Sequence, residues 1–252
     1  LLGAENRVGE LLIIRQMQLH NESDGERRLA LRLETARLVG VIEEQGGRLE
    51  ALQANLQERP GHDASLDAVT ALLTDKAQHR ELSNLLEKQA QQVESLAEPA
   101  RAARLWARFA DVAEKHTKES DRAITGHRRV VALSPNADSL RALARLNLER
   151  NQPAQAVPWL ESLLTNVNGA ERMQVVTQLA RAHLAAKQSE RAIGAIEQHL
   201  DPGEPAVELR HLLSDLYRKH EQWEPLARHL TQSLPLFGDE ARRAAAREAA
   251  AI

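Results

Sequence analysis

Residues 174–197, QVVTQLARAHLAAKQSERAIGAIE, hold two apolar stripes in succession. Val176, Leu179, Ala180 and His183 form the first, and Ala192, Ile193 and Ile196 the second. Spacings of three and four keep such residues on one face of an α-helix. The stretch therefore reads as two consecutive amphipathic helices, the second entered at Glu190-Arg191-Ala192-Ile193.

The same pair of stripes recurs along the chain. Trp106, Phe109, Ala110 and Ala113 repeat the first stripe, as do Leu140, Leu143, Ala144 and Asn147, and then Arg210, Leu213, Ser214 and Tyr217. Ala123, Ala156, Ala192 and Leu226 occupy equivalent places in the second helix, at separations of 33, 36 and 34 residues. Leu160, Ile196 and Leu230 each follow four residues after an anchor and extend its apolar face. A fixed period of this size is the mark of stacked helix pairs.

Composition points the same way. Aromatic residues are 2% of the 252-residue chain, Gly and Pro number 12 and 9, and no alternating Val/Ile/Thr run reads as a strand. Leu, Ala, Glu, Arg and Gln, all strong helix formers, dominate. The fold class expected is all-α: a right-handed superhelical solenoid of antiparallel helix pairs.

A large residue, a Leu three on, a small residue next, then Ala with large neighbours and a closing Pro resembles the tetratricopeptide repeat. Pro135 and Pro205 fall near the closing proline of that pattern, and Gly169 and Gly238 stand at the corresponding places of two other repeats, where they are expected to end a helix. The small residues Ala110, Ala144 and Ala180 would let paired helices approach closely.

On this reading residues 1–252 form one solenoid segment, with repeats over 26–60, 61–98, 99–136, 137–170, 171–206 and 207–238. Residues 1–25 and 239–252 are expected to be partial repeats. The first half is more degenerate. Helices are predicted over 26–45 and 48–58, joined at Gly46-Gly47, and over 63–76 and 79–95, with Asp63 as N-cap. Residues 5–20 carry Val8, Leu11, Leu12 and Leu19 on one side. Pro158 falls inside a predicted helix, where it should remove a hydrogen bond and cause a kink. The 41 residues from Leu82 to Ala123 exceed the period and call for a longer helix pair or loop near His116–Ser120.

Several function classes are disfavoured. Net charge is −3, which offers no electrostatic footprint for nucleic acid or an anionic membrane. No apolar run approaches the roughly 18 residues of a membrane span. Cysteine is absent, so thiolate metal sites, disulfides and Cys nucleophiles are excluded. A cysteine-free chain suits a reducing cytosol and a periplasm alike, with the cytosol kept as the working expectation. No phosphate loop, G-x-G-x-x-G, H-E-x-x-H or G-x-S-x-G motif occurs. His211, His220 and His229 step by nine residues and cannot share one helical face. Glu43-Glu44, being adjacent, read as solvated charge. No catalytic residue, metal site or cofactor is expected. Trp106, Trp159 and Trp223 read as packing residues, Trp223 the weakest case because it follows a turn.

The resemblance implies a protein-binding scaffold whose first helices line a groove. Carried over position by position, it nominates Arg104 and Asp111, then Arg141, Arg145 and Leu148, then Arg181, then His211 and Asp215. Arg141, Arg145 and Arg181 together suit an acidic peptide or a C-terminal carboxylate, because guanidinium binds carboxylate bidentately. The competing reading is that Asp138, Glu149 or neighbouring acids neutralise them as surface pairs. The style resembles long bacterial arrays, and the absence of an initiator Met leads us to expect a piece of a longer protein. Two other roles stay open: a regulatory or spacer arm of an enzyme, and self-association through apolar solenoid ends.

Overall fold

The computed structural model describes residues 2–41 and 45–252, and the side chains of these except 2–6, 41, 45 and 46. Contacts divide the chain into two compact units, Leu1–Pro135 and Asn136–Ile252. The first contains α1 (Leu2–Asn21), α2 (Gly25–Val41), α3 (Gln45–Glu58), α4 (Asp63–Asp75), α5 (His79–Ser95), α6 (Pro99–Lys115) and α7 (Ser120–Leu133). The second contains α8 (Ala137–Glu149), α9 (Pro153–Leu164), α10 (Gly169–Ala185), α11 (Ser189–His199), α12 (Val207–Lys219), α13 (Trp223–Ser233) and α14 (Asp239–Ala251), with a 3₁₀ turn at Leu234–Leu236 before α14. No strand occurs among the described residues. Within each unit every helix packs on the next in sequence. The architecture is all-α, built of helix pairs stacked in chain order.

The residues that carry the period are the residues that are buried. Ala123, Ala156, Ala192 and Leu226 are each fully inaccessible, as are Ala110 and Ala180. Their smallness sets how closely helices approach. A Cβ added at Gly126 would lie 2.9 Å from both Ala110 Cβ and Phe109 Cδ1, so α6 and α7 touch there without room for a methyl group. Leu52, Leu66, Leu82, Leu86 and Phe109 build the core of the first unit. Val176, Ile196, Leu213, Tyr217 and Leu230 build that of the second.

The turns within pairs repeat as closely as the cores do. Ala77, Asn151, Lys187 and Glu221 adopt φ of 54, 55, 60 and 55°. In each case the next residue is glutamine, and its N–H donates to the carbonyl five residues back. Gln78 reaches Leu73 at 2.8 Å, Gln152 Asn147 at 2.9 Å, Gln188 His183 at 2.8 Å and Gln222 Tyr217 at 2.9 Å. This closure satisfies helix-end carbonyls in the left-handed cap normally given to glycine. A residue with a Cβ costs roughly 1 kcal/mol there.

The second unit also buries a cation. Arg210 is 1% exposed. Its guanidinium donates to the carbonyls of Asp201 and Pro202 at 2.7 and 2.8 Å and to Glu204 O at 2.9 Å. It also reaches Ser233 Oγ at 3.2 Å. These bonds fasten the α11–α12 connection, the place where Pro205 breaks the helical run. His229 Nε2 donates to Arg210 O at 3.0 Å, and burial lowers the His229 pKa below its ordinary 6.5.

Several local expectations need correction. Gly46 and Gly47 lie within α3, while 42–44, which precede it, lie outside the described residues together with Glu43-Glu44. Asp63 is the first residue of α4, and His62 occupies the cap without a side-chain bond to the helix backbone, its Nδ1 lying 2.9 Å from Ser65 Oγ. Gly169 opens α10 at φ 56°, and Gly238 is the N-cap of α14, so both start helices. The long Leu82–Ala123 interval comes from length: α5 and α6 have 17 residues each. Pro158 does lie inside α9, yet the helix continues to Leu164. It is the sixth of twelve residues, and its missing N–H forfeits one interior bond. On α1, Val8, Leu12 and Leu19 are half-buried, whereas Leu11 is 43% exposed.

Two substitutions test this packing. Gly126→Ala should cost about 1–3 kcal/mol in urea unfolding, because two packed helices must separate. Glu221→Gly should instead add about 0.5 kcal/mol by relieving the left-handed turn. A pH test follows from His229, and from His62 and His199, whose pKa values burial also lowers. The folded state takes up protons less readily than the unfolded chain, so stability is complete above pH 6.5 and falls as pH drops below it. Thermal scans on either side of 6.5 should show the loss, and His229→Gln should reduce it.

Candidate functional groove

The exposed face of the second unit follows from the repeat itself. In α8 the buried stripe Leu140, Leu143, Ala144 and Asn147 turns Arg141, Arg145 and Leu148 away from the core. In α10 the stripe Val175, Val176, Leu179, Ala180, Ala182 and His183 leaves Glu171, Gln174 and Gln178 beside them. Between the two helices lies a cavity of about 550 Å³, lined by these side chains over Ala142, Leu163 and Val175. Leu163 and Val175 are 1% and 4% exposed, so the floor is apolar and firm. Leu148 is half-buried at its edge.

The charges around this cavity are already paired. Arg141 donates to Glu171 at 2.6 Å and to Asp138 at 2.7 Å. Arg145 donates to Glu149 at 3.1 Å. Further along, Arg181 on α10 pairs with Glu208 on α12, and Arg218 on α12 holds Glu248 of α14 at 2.6 Å. An arginine on each of α8, α10 and α12 thus reaches a glutamate on the next even-numbered helix, 30, 27 and 30 residues away. The Arg218 guanidinium holds the Glu248 pKa below the ordinary carboxylate value. In the first unit, Arg28 and Arg32 converge on Glu58 at 2.5 Å each and bring its pKa down to about 2.

The nominated residues therefore separate. Arg141, Arg145 and Leu148 share one cavity. Arg181 does not line it and is engaged with Glu208. Arg104 and Asp111 are exposed on α6, with Asp111 bound to Lys115 at 2.5 Å. His211 is exposed and stacks on Phe237 at 5.2 Å, and Asp215 pairs with Arg218 at 2.6 Å. His211, His220 and His229 do not converge, and among the described residues no cluster suits a metal ion. Trp106 is buried with its indole N–H on Glu94 at 2.8 Å, Trp159 is half-buried, and Trp223 is 50% exposed.

The sequence reading missed Glu171 and Glu208 as partners of Arg141 and Arg181. The signal was present in the spacing, since each acid lies close to one repeat period from its arginine and periodic neighbours face the same side.

No protein-family model matches the sequence, and no curated protein matches it. Among solved structures, one of Naa15/Naa10 bound to HypK-THB aligns with a TM-score of 0.56 at 17% identity, over 89% of this chain and 34% of that chain. The fold is a tetratricopeptide-like array. Yeast Tom70 aligns at 13% identity over 98% of this chain and 59% of its own, with a TM-score of 0.37. A tetratricopeptide repeat protein from Parabacteroides merdae gives 10% identity, 98% and 94% coverage and a TM-score of 0.38. These two superpositions add no weight to the assignment. The array spans about a third of the chain it matches in the Naa15/Naa10 structure.

Because Arg141, Asp138 and Glu171 are each more than two-fifths exposed, their pairs should contribute little to stability. Arg141→Ala is expected to change unfolding free energy by less than about 1 kcal/mol. A larger loss in urea titration would assign Arg141 a structural role.

Proposed function

We propose that this chain is a protein-interaction scaffold whose α8–α10 cavity receives an extended segment of a partner protein. The observation that carries the proposal is the pairing of a firm apolar floor, Leu163 and Val175, with two guanidiniums at its rim. Apolar area supplies affinity, and Arg141 and Arg145 supply register toward an acidic side chain or a C-terminal carboxylate. Both arginines have internal carboxylate partners, so binding proceeds by exchange. An exposed ion pair is worth roughly 1 kcal/mol or less, and a bidentate ligand carboxylate can displace it at little cost. The structural relative Naa15/Naa10, solved bound to HypK-THB, supports a role in protein assembly.

Capture from a native extract tests this, with the wild type beside Arg141→Glu/Arg145→Glu and Leu148→Asp. Both variants should lose the same partners, while Arg104→Glu, on α6, keeps them. Unchanged partner lists with correctly folded variants would refute groove binding.

One observation favours a second reading, self-association. On α1, Ile13, Ile14 and Met17 are 59%, 47% and 63% exposed, beside a cavity of about 740 Å³ that also touches Ala30 and Leu31. Apolar side chains of this size in one patch commonly mark a contact surface. Sedimentation should then show concentration-dependent association that Ile14→Asp/Met17→Asp abolishes.

A further inference from the structure

A second cavity in the same unit, about 790 Å³, lies among α9, α10 and α11 and is built around cations. Helix α10 contributes to both cavities through different faces. Glu171, Gln174, Val175 and Gln178 line the first, and Arg172, Leu179 and His183 line the second. Arg191 and His199 of α11 complete the basic side, with Glu161 of α9 as the acidic side chain in the lining.

The arginines here differ from those of the groove. Arg141, Arg145, Arg181 and Arg218 each meet a carboxylate. Among the described residues, no ion pair joins Arg172 or Arg191 to an acid. The Nε of Arg172 is buried and meets no acceptor. A buried donor left unpaired costs free energy that a suitable acceptor recovers. Arg172 Nη2 lies 3.1 Å from His199 Nδ1. A guanidinium only donates, so Nδ1 accepts and the ring proton is on Nε2. Burial, and after it the Arg172 charge, lower the His199 pKa and keep the ring neutral. Arg172 also stands in the first turn of α10, behind its N-cap Asn168, where the helix dipole adds positive potential.

We propose that this cavity is an oxyanion site, taking a phosphate or carboxylate group at Arg172 with Arg191 as the second cation. A fork of N–H donors with one position unfilled matches two oxygens of such a group. Without counting any charge on the imidazoles, two arginines outweigh Glu161 and leave the lining net positive. The site is separate from the α8–α10 cavity and does not depend on a partner binding there.

The whole chain is titrated with inorganic phosphate, with acetate, and with chloride at matched ionic strength, reading the Arg172 Nε–H and His199 ring resonances. Saturable shifts with phosphate or acetate, absent with chloride, are expected, and the stronger of the two defines the anion chemistry. Repeating the titration with a phosphoserine peptide distinguishes a free anion from a group carried on a partner. Arg172→Gln and Arg191→Gln should each weaken binding about tenfold, the loss of one charge-assisted contact, and Arg181→Gln should not. Arg191 is exposed, so its variant retains the fold if Arg172→Gln does not. Shifts that match chloride, or that are the same in Arg191→Gln and wild type, would overturn the proposal.

Discussion

Close approach between successive helices is the constraint on which the rest of the structure depends. It is set by small residues at fixed places: Ala110 against Gly126, then Ala144, Ala156, Ala180 and Ala192. Dispersion and burial gain only when surfaces meet without voids. A methyl group too many at one crossing would tilt one pair against the next. With large residues filling the gaps between small ones, a chain that is 2% aromatic still builds continuous cores.

That packing decides what faces outward. In a helix with its apolar stripe buried, neighbours that fall off that stripe are solvated. Arg141 and Arg145 are such neighbours, and so are the glutamates they and Arg181 and Arg218 meet. Because each repeat resembles the last, an arginine on one helix finds an acid on the next but one. These contacts are too exposed to hold the fold together, which leaves them free to be exchanged. Arg210 is the contrast: buried and bonded to carbonyls, it is committed to the loop it fastens.

The helical class and the period were legible because they rest on side-chain size at regular intervals. Ala123, Ala156, Ala192 and Leu226 were identified by spacing and are fully buried. Local geometry was harder to read. Gly46-Gly47 suggested a turn, yet both are helical, since glycine permits turns without requiring them. The real turns use Ala77, Asn151, Lys187 and Glu221, none a glycine. Their common mark is the following glutamine, a residue with no turn preference of its own. For the groove, Arg141, Arg145 and Leu148 line one cavity, while Arg181 meets Glu208 across helices, a contact that reading each helix face alone does not show. The cavity around Arg172 was invisible for the same reason, being assembled from α9, α10 and α11.

The most direct test is hydrogen exchange on the whole chain, alone and with a partner captured from its native extract. Binding in the α8–α10 cavity predicts slowed exchange across α8 and α10, centred on Arg141–Leu148 and Glu171–Gln178, with α1 and α2 unaffected. Protection confined to α1 and α2, or an unchanged pattern at saturating partner, would contradict the account.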